Sequence, residues 1–417
     1  MKRLLQISNY FYPNRGGIEQ VARDIARALQ GTCEQKIICF NETAEDNNIQ
    51  TRRKETVIDN IDGVEVIRCG CMTKQASQSI SLTFGKQLKK VLNDFHPDTV
   101  IFHYPNPYQA YFLLKELKHR KQNKDKNSNR NSNHSPRLIL YWHLDITKQK
   151  ILGKLFRGQT LKLIDQADTI LGATPTHIDR SIYLAKHKEK CRILPYCIDP
   201  DRLRVTEAIR RKAEEIRQSN QDLSQKQDAI LCFAIGRHIP YKGFTYLIQA
   251  SRYLDDRFRI VIAGSGPLTE QLKQEAKEDR KISFPGKISD DDLIAYYLAM
   301  DIFCFPSITK NECFGLALAE AMTFEKPAVT FTIPGSGVNY VNKKDETGLE
   351  VTNSDPKAYA EAITRLADNP ELRTQLGKNG KTRVETLFSP EAFRTNLMNL
   401  LNKPDPKTPT KREGPTH

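Results

Sequence analysis

Apolar residues along this chain fall into short continuous runs, separated by stretches in which they recur at helical spacing. LLQIS opens the chain, a helical pattern covers 18–29, and the runs QKIICF, VEVIRC, DTVIFH and RLILYWH continue the alternation. Strand-like runs alternating with helical ones predict an α/β fold with a parallel, doubly wound sheet. A helical stretch over 155–165 and the strands DTILGAT and CRILPYC complete this first set near Ile198. A second alternation runs through AILCFAIG, RIVIAG, ISFPG, DIFCFPS, PAVTF and GLEV, with helices after most strands, so two similar doubly wound halves follow in tandem. The predicted boundaries are a first domain over 1–204, a charged, Gln-rich linker over 205–228, a second domain over 229–388, and a last helix over 389–402 that crosses back to the first domain. Two segments have too little apolar content to bury: an Asn-rich, basic stretch at about 117–136, read as a mobile surface insertion, and the tail 403–417, read as disordered.

Composition narrows the reading. At 417 residues the chain has ample core for two or three domains, and 39% hydrophobic with 27% charged residues is an ordinary globular balance. The formal charge of +14 implies attraction to polyanions: nucleic acid, an anionic membrane or phosphorylated substrates. None of the nine cysteines is arranged as CxxC, and Cys69 and Cys71 are too close for a zinc knuckle, so reduced thiols are expected. The basic start MKRLLQISNYFYP is broken at Ser8 and Asn9 and reads as a first strand, not a signal peptide. No apolar run approaches the roughly 18 residues of a membrane span, which leaves only peripheral membrane contact.

The chemistry concentrates in a few loops. Asn311–Ala321, NECFGLALAEA, sets Glu312 in a loop and Glu320 about one turn into a helix. Backbone N–H groups of Phe314, Gly315 and Leu316 then lie at the helix start, where unpaired donors favour a phosphate, and the flanking carboxylates can accept from sugar and ribose hydroxyls. Gly16 and Gly17 sit between the first strand and its helix, but the loop YPNRGGI lacks the dinucleotide fingerprint, so a nicotinamide site loses support. In GRHIPYKG, Arg237 and Lys242 follow a strand and can converge on one diphosphate, the arginine as a fork and the lysine as a point charge. Gly264 and Gly266 of AGSGP are turn residues or ligand contacts on equal grounds. His143, after RLILYW, stands at a strand end facing the crevice of an open sheet, and His103, after DTVIF, is the competing candidate.

The ordered set GGIE, WHLD, GRxxxYKG, AGSGPL, FPGKIS and ECFGLALAE resembles the large retaining glycosyltransferase family of GT-B architecture, the fourth of the usual classification, over about residues 1–400. The resemblance implies two Rossmann-like domains facing across a cleft, with a nucleotide sugar held mainly by the second. It further implies that Arg237 and Lys242 bind the donor diphosphate, Glu320 the ribose and Glu312 the transferred sugar. Phe314, Gly315 and Leu316 would supply backbone donors, Gly17 would lie over the diphosphate and His143 would contact the sugar near the reacting carbon. WHLD departs from the family's common HD or HGxE pattern, which leaves Asp145 without an assigned role.

Two fixed cations and helix-terminal amides would answer the charge that builds on a departing diphosphate. No Asp-x-Asp motif appears where a metal-dependent transferase would need one, so neither metal nor other cofactor is expected. A hydrolase using Glu312 and Glu320 as its acid and nucleophile would leave Arg237 and Lys242 no phosphate to neutralise. A sugar-nucleotide 2-epimerase shares the two-domain architecture, but the Glu-x-Phe-Gly helix start favours the transferase, and the runner-up of another class is a non-catalytic nucleotide-sugar binder. Similarity to assemblers of bacterial surface polysaccharide favours mannose from GDP-mannose, with UDP-hexose or UDP-N-acetylglucosamine open, since base choice rests on the loop around Lys287 and Ile288. The expected partners are a lipid-linked or saccharide acceptor and an anionic membrane surface on the cytoplasmic side. Nucleic acid is not expected.

Overall fold

The computed structural model describes residues 2–14, 16–42, 54–75, 78–126, 135–145, 150–224 and 229–402. Two compact units emerge: Met1–Gly172, Ser181–Leu194 and Phe393–His417 form the first, Ala173–Arg180 and Pro195–Ala392 the second.

The strands of the first unit are β1 (Arg3–Ile7), β2 (Glu34–Phe40), β3 (Val57–Ile61), β4 (Val64–Cys69), β5 (Thr73–Gln75), β6 (Gln78–Ile80), β7 (Thr99–Tyr104), β8 (Arg137–Trp142), β9 (Thr169–Gly172) and β10 (Cys191–Ile193). Eight of them form one sheet in the order β10-β9-β8-β7-β1-β2-β4-β3, parallel except for β3, and β5 and β6 form a small antiparallel ribbon. The chain works outward from β1 on one side, then returns to β7 and works outward on the other, so the strand order switches between β1 and β7. Central strands such as β1 and β8 are buried along nearly their whole length because helices cover both faces of a parallel sheet. Those helices are α1 (Gly17–Ala28), α2 (Phe84–Asp94), α3 (Pro107–Lys126) and α4 (Lys150–Gln166). On α1, Val21, Ala22, Ile25 and Ala26 make the buried stripe.

In the second unit, α5 (Pro175–Asp179) and α6 (Glu207–Ser224) precede six strands, β11 (Ile230–Ile235), β12 (Phe258–Ala263), β13 (Ile282–Gly286), β14 (Ile302–Phe305), β15 (Ala328–Phe331) and β16 (Gly348–Val351). The sheet is wholly parallel in the order β13-β12-β11-β14-β15-β16, the doubly wound Rossmann order with its switch between β11 and β14. Interleaved are α7 (Phe244–Ser251), α8 (Thr269–Glu275), α9 (Asp290–Ala299), α10 (Leu316–Met322), α11 (Val338–Val341), α12 (Pro356–Asp368) and α13 (Pro370–Leu387). The helix α14 (Pro390–Asn402) lies with the first unit from Phe393 onward, where Arg137 Nη1 donates to the Leu401 carbonyl and Lys2 Nζ to Asn402.

Several boundaries differ from the sequence reading. The second unit starts at Pro195 and also takes Ala173–Arg180, which the pattern had left inside the first. The span read as a linker is largely helix α6, whose Lys212 pairs with Asp292 of α9 and whose Arg217 Nη2 reaches Asp301 at 3.2 Å. Helix α3 extends through Lys126, into the stretch read as an insertion; the rest of that stretch to residue 134 and the tail 403–417 lie outside the described residues. All nine cysteines are free thiols, and no described helix is long and apolar enough to cross a membrane.

Candidate active site

In the second unit the loops after β11 and β14 leave the carboxyl ends of the two strands that flank the switch. They are locked together there. Ile308 N–H donates to the Tyr241 carbonyl at 2.9 Å. Gly243 has a left-handed φ of +66°, and a Cβ there would stand 2.1 Å from the Pro306 carbonyl oxygen, so only glycine allows this approach. The result brings Lys242 onto Glu312: Lys242 Nζ pairs with Glu312 Oε2, and Ser307 Oγ donates to the same oxygen at 3.4 Å. Both side chains are largely buried, 15% and 13% exposed. Burial alone would push the Lys242 ammonium down, but Glu312 and Tyr241 outweigh it and hold the pKa above the ordinary lysine value.

Arg237 is exposed at the start of the same loop. Burial raises the Tyr241 phenol, whereas Lys242 and Arg237 both act to lower it, so the two cations bear on one side chain from a single strand-to-helix turn. The Lys242 stem packs along Gly236, its Cε 3.5 Å from where a Cβ would stand, an ordinary packing distance. Of the two readings for the AGSGP glycines, packing accounts for both: a Cβ on Gly264, at φ +112°, would meet Gly236 O at 2.0 Å, and one on Gly266 would meet His238 O at 2.5 Å.

Glu320 is held apart from that pair. Midway along α10 and buried, it accepts from Tyr297 Oη at 3.1 Å and lies 3.6 Å from Arg202 Nη1. Burial raises its carboxyl pKa, with Arg202 and Tyr297 opposing the rise. Among the described residues no interaction joins Glu320 to Glu312 or Lys242. The Phe314 side chain is fully buried, with its ring centroid 5.0 Å from that of Tyr196 and 5.1 Å from that of Phe388, so only its backbone is free to face a ligand. Gly315 caps α10 at φ +89°, and Leu316 is the first of its seven residues. Lys287 and Ile288 lie between β13 and α9, where Ser289 caps α9 by accepting from Asp292 N–H at 3.1 Å.

In the first unit the two competing histidines form one hydrogen-bonded couple. His103 Nδ1 lies 3.0 Å from His143 Nε2, and His103 Nε2 lies 3.0 Å from Gln6 Oε1. Gln6 Nε2 donates to the Ala22 carbonyl, which turns its oxygen toward His103. His103 is fully buried, and burial lowers its pKa to about 3, so the ring is neutral and donates from Nε2. Its Nδ1 is then an acceptor, and His143 must donate from Nε2. At the β1–α1 loop Gly16 has an extended φ of −168° and Gly17 opens α1; the Glu19 carboxylate folds back to within 2.2 Å of where a Gly16 Cβ would be. Burial raises the Glu19 pKa. Asp145 is a structural clamp: it accepts from Trp142 Nε1 at 3.0 Å, Ser181 Oγ at 2.6 Å and Ile182 N–H at 3.0 Å.

The sequence reading missed Tyr297, Arg202, Ser307 and Gln6. No motif marks them, because each acts through a neighbour that only folding supplies.

Comparison with known proteins adds to this geometry. The profile of the Glycosyl transferases group 1 family matches residues 215–383. D-rhamnosyltransferase WbpZ of Pseudomonas aeruginosa is 29% identical over 318 residues, covering 75% of each chain. O-antigen chain mannosyltransferase C of Escherichia coli is 25% identical over 404 residues, covering 95% of this chain and 97% of that one. Among solved structures, Anabaena HepE in complex with UDP superimposes with a TM-score of 0.71 at 16% identity, over 96% of this chain and 99% of that one. Sucrose-phosphate synthase from Thermosynechococcus elongatus does so with 0.70 at 18%, over 96% and 98%. These two likenesses establish the GT-B fold.

Proposed function

We propose, from the premise that this chain is a family 4 (group 1) glycosyltransferase, that it moves a hexose from a nucleotide diphosphate sugar, with retention and without a metal ion, onto a lipid-linked or saccharide acceptor in surface polysaccharide synthesis. The observation that carries the reading is the Lys242–Glu312 pair at the β11/β14 switch with Arg237 beside it. An ammonium already desolvated, with a second cation, the Arg237 guanidinium, exposed on the same turn, suits a diphosphate whose charge grows as its bond to the anomeric carbon breaks.

In this reading the C–O bond electrons pass to the phosphate oxygen, which Lys242 and Arg237 stabilise. The acceptor hydroxyl oxygen bonds to the anomeric carbon on the same face, and its proton goes to the departing phosphate oxygen. Glu312 accepts from a hydroxyl of the transferred sugar and Glu320 from the ribose. Backbone amides of Phe314, Gly315 and Leu316 approach the phosphates and Ile288 borders the base, while within the first unit His103 orients the His143 ring.

The preferred donor is GDP-mannose, in keeping with a mannosyltransferase that aligns over nearly the whole chain. A UDP-hexose is the second reading, favoured by the HepE complexes with UDP and UDP-glucose. Thermal protection by GDP, UDP and ADP, followed by hydrolysis of the matching sugar nucleotides, separates the two, since only a ligand that binds the folded chain raises its midpoint. Protection by UDP without GDP would overturn the mannose assignment, and protection by none would overturn the donor site. The net charge of +14 supports peripheral contact with an anionic membrane on the cytoplasmic face.

A further inference from the structure

The first unit carries a second recess that the donor and histidine sites do not use. It lies between α2 and α3, encloses about 620 Å³, and is lined by Leu82, Lys86, Lys89 and Asn93 on one side and Phe112, Lys115, Glu116, His119 and Arg120 on the other. Its volume suits a small ligand or a headgroup. The spacing explains the recess. Lys86, Lys89 and Asn93 stand on successive turns of α2; Phe112, Lys115, Glu116 and His119 do the same on α3. At Gly85 an added Cβ would lie 2.4 Å from the Phe112 ring, so glycine lets α2 close onto that ring and form the floor.

Four Lys and Arg side chains share this space with one carboxylate, Glu116. Half-buried lysines elsewhere meet carboxylates, as Lys36 does Glu65 and Lys381 does Glu325. Among the described residues Lys86, Lys89 and Lys115 have no carboxylate within ion-pair distance. Arg120 is buried, its Nη2 donates to Asn93 Oδ1, and its Nε has no partner. Burial lowers its pKa, with Glu116 opposing. A guanidinium so placed, buried with one N–H donor unused, is a preorganised partner for an anion. Of the lining, Leu82 is 77% exposed, and on α3 Tyr111, next to Phe112 in sequence and 57% exposed, packs its ring edge-on against that of Phe112 at 5.2 Å, an apolar chain and an amphipathic ring suited to the water–lipid boundary.

We propose that the α2–α3 groove is a headgroup site for the phosphate of an anionic membrane lipid, with Lys86, Lys89, Lys115 and Arg120 around the phosphate and Leu82 and Tyr111 at the acyl boundary. The proposal rests on the membrane-contact reading above and narrows it from a diffuse charge to one groove. The groove adds apolar contact to charge, and two such signals together hold a protein at a bilayer better than either alone.

The test measures binding of the full chain to phosphatidylglycerol and to phosphatidylcholine vesicles. One variant carries Lys86→Ser, Lys89→Ser and Lys115→Ser. A second carries Lys90→Ser, Lys118→Ser and Lys121→Ser, exposed positions on the same helices outside the lining. Both lose the same charge, and the unfolding midpoint checks the fold of each. The expected result is binding to phosphatidylglycerol alone, weakened roughly a hundredfold in the groove variant, as about 1 kcal/mol per lysine implies, and within about threefold of the parent in the other. Equal loss in both variants would overturn the groove while leaving general membrane attraction in place. Absence of parent binding to either vesicle would remove both. If inorganic pyrophosphate raises the midpoint of the parent but not of the groove variant, and vesicles bind neither, the groove belongs to a soluble anion and the lipid source is overturned.

Discussion

Replacing Lys242 by Met removes a cation but keeps most of the stem that lies along Gly236. Glu312 then keeps a largely buried carboxylate whose remaining side-chain donor is Ser307 Oγ at 3.4 Å. Breaking a buried pair from one side costs roughly 3–5 kcal/mol in dry surroundings; with 15% and 13% of the two side chains still exposed, about 2–3 kcal/mol is the expectation here. Glu312→Gln strands the ammonium instead and has a similar cost. The double variant removes both charges, and paired removal of buried ions by groups of like shape is close to neutral. Its loss should be no more than about 2 kcal/mol where the singles sum to about 5, a coupling of about 3 kcal/mol. Urea unfolding of the four proteins gives the cycle. Transfer or donor hydrolysis should fall on the order of a hundredfold in all three variants, including the double one whose stability is restored, which separates the chemistry from the fold. Additive losses in the double variant would refute the pair as an energetic unit, and near-normal turnover in it would remove both residues from the reaction.

Three further outcomes are expected. Arg237→Ala, at an exposed position, should leave the unfolding midpoint unchanged but cut turnover by on the order of a hundredfold; a fall in midpoint with unchanged turnover would make it a structural residue. EDTA should leave transfer nearly unchanged, and activity that disappears with chelator and returns with magnesium or manganese would refute the charge-neutralisation argument. His103, with its pKa lowered to about 3 in the fold, stays neutral while the unfolded chain takes up a proton below about 6.5. Its contribution is therefore complete above that pH and is lost as pH falls toward 3, by about 1.4 kcal/mol per unit. In His103→Gln the acid limb of stability against pH should flatten by up to one proton, and an unaltered slope would show that the ring is charged in the fold.

Much of the fold was legible because the sheets are built from continuous apolar runs, which survive as a signal without knowledge of neighbours. The runs named in the sequence supply most of the strands of both sheets. β3 was missed because Val57–Ile61 is a half-exposed edge in which only alternate residues are protected. Its marker was nevertheless present: Asp62-Gly63, with φ of 52° and 80°, is the two-residue hairpin turn that joins it to β4. The excursion of Ala173–Arg180 into the second unit had no compositional sign, since Thr176 Oγ1 is held there by the Ser336 carbonyl, 160 residues away. At the site, motif spacing singled out Lys242 and Glu312 separately. That they touch depends on β11 and β14 being neighbours in the sheet. His103 and His143 were weighed as rivals because a sequence ranks strand ends one at a time, while the sheet pairs β7 with β8 and sets the two rings at hydrogen-bond distance.

The division of the chain also bears on the order in which the ribosome delivers it. The first unit's sheet is complete in sequence by Ile193, yet Phe393–Asn402 of α14, with its bonds to Arg137, Lys2 and Ala28, arrives only after Pro195–Ala392 has been made. During synthesis the nascent first unit must persist without its closing helix while the whole second unit emerges and folds. A nascent chain halted before Phe393 should therefore be cut by protease in the first unit before the second, and release of the last helix would be the event that seals it.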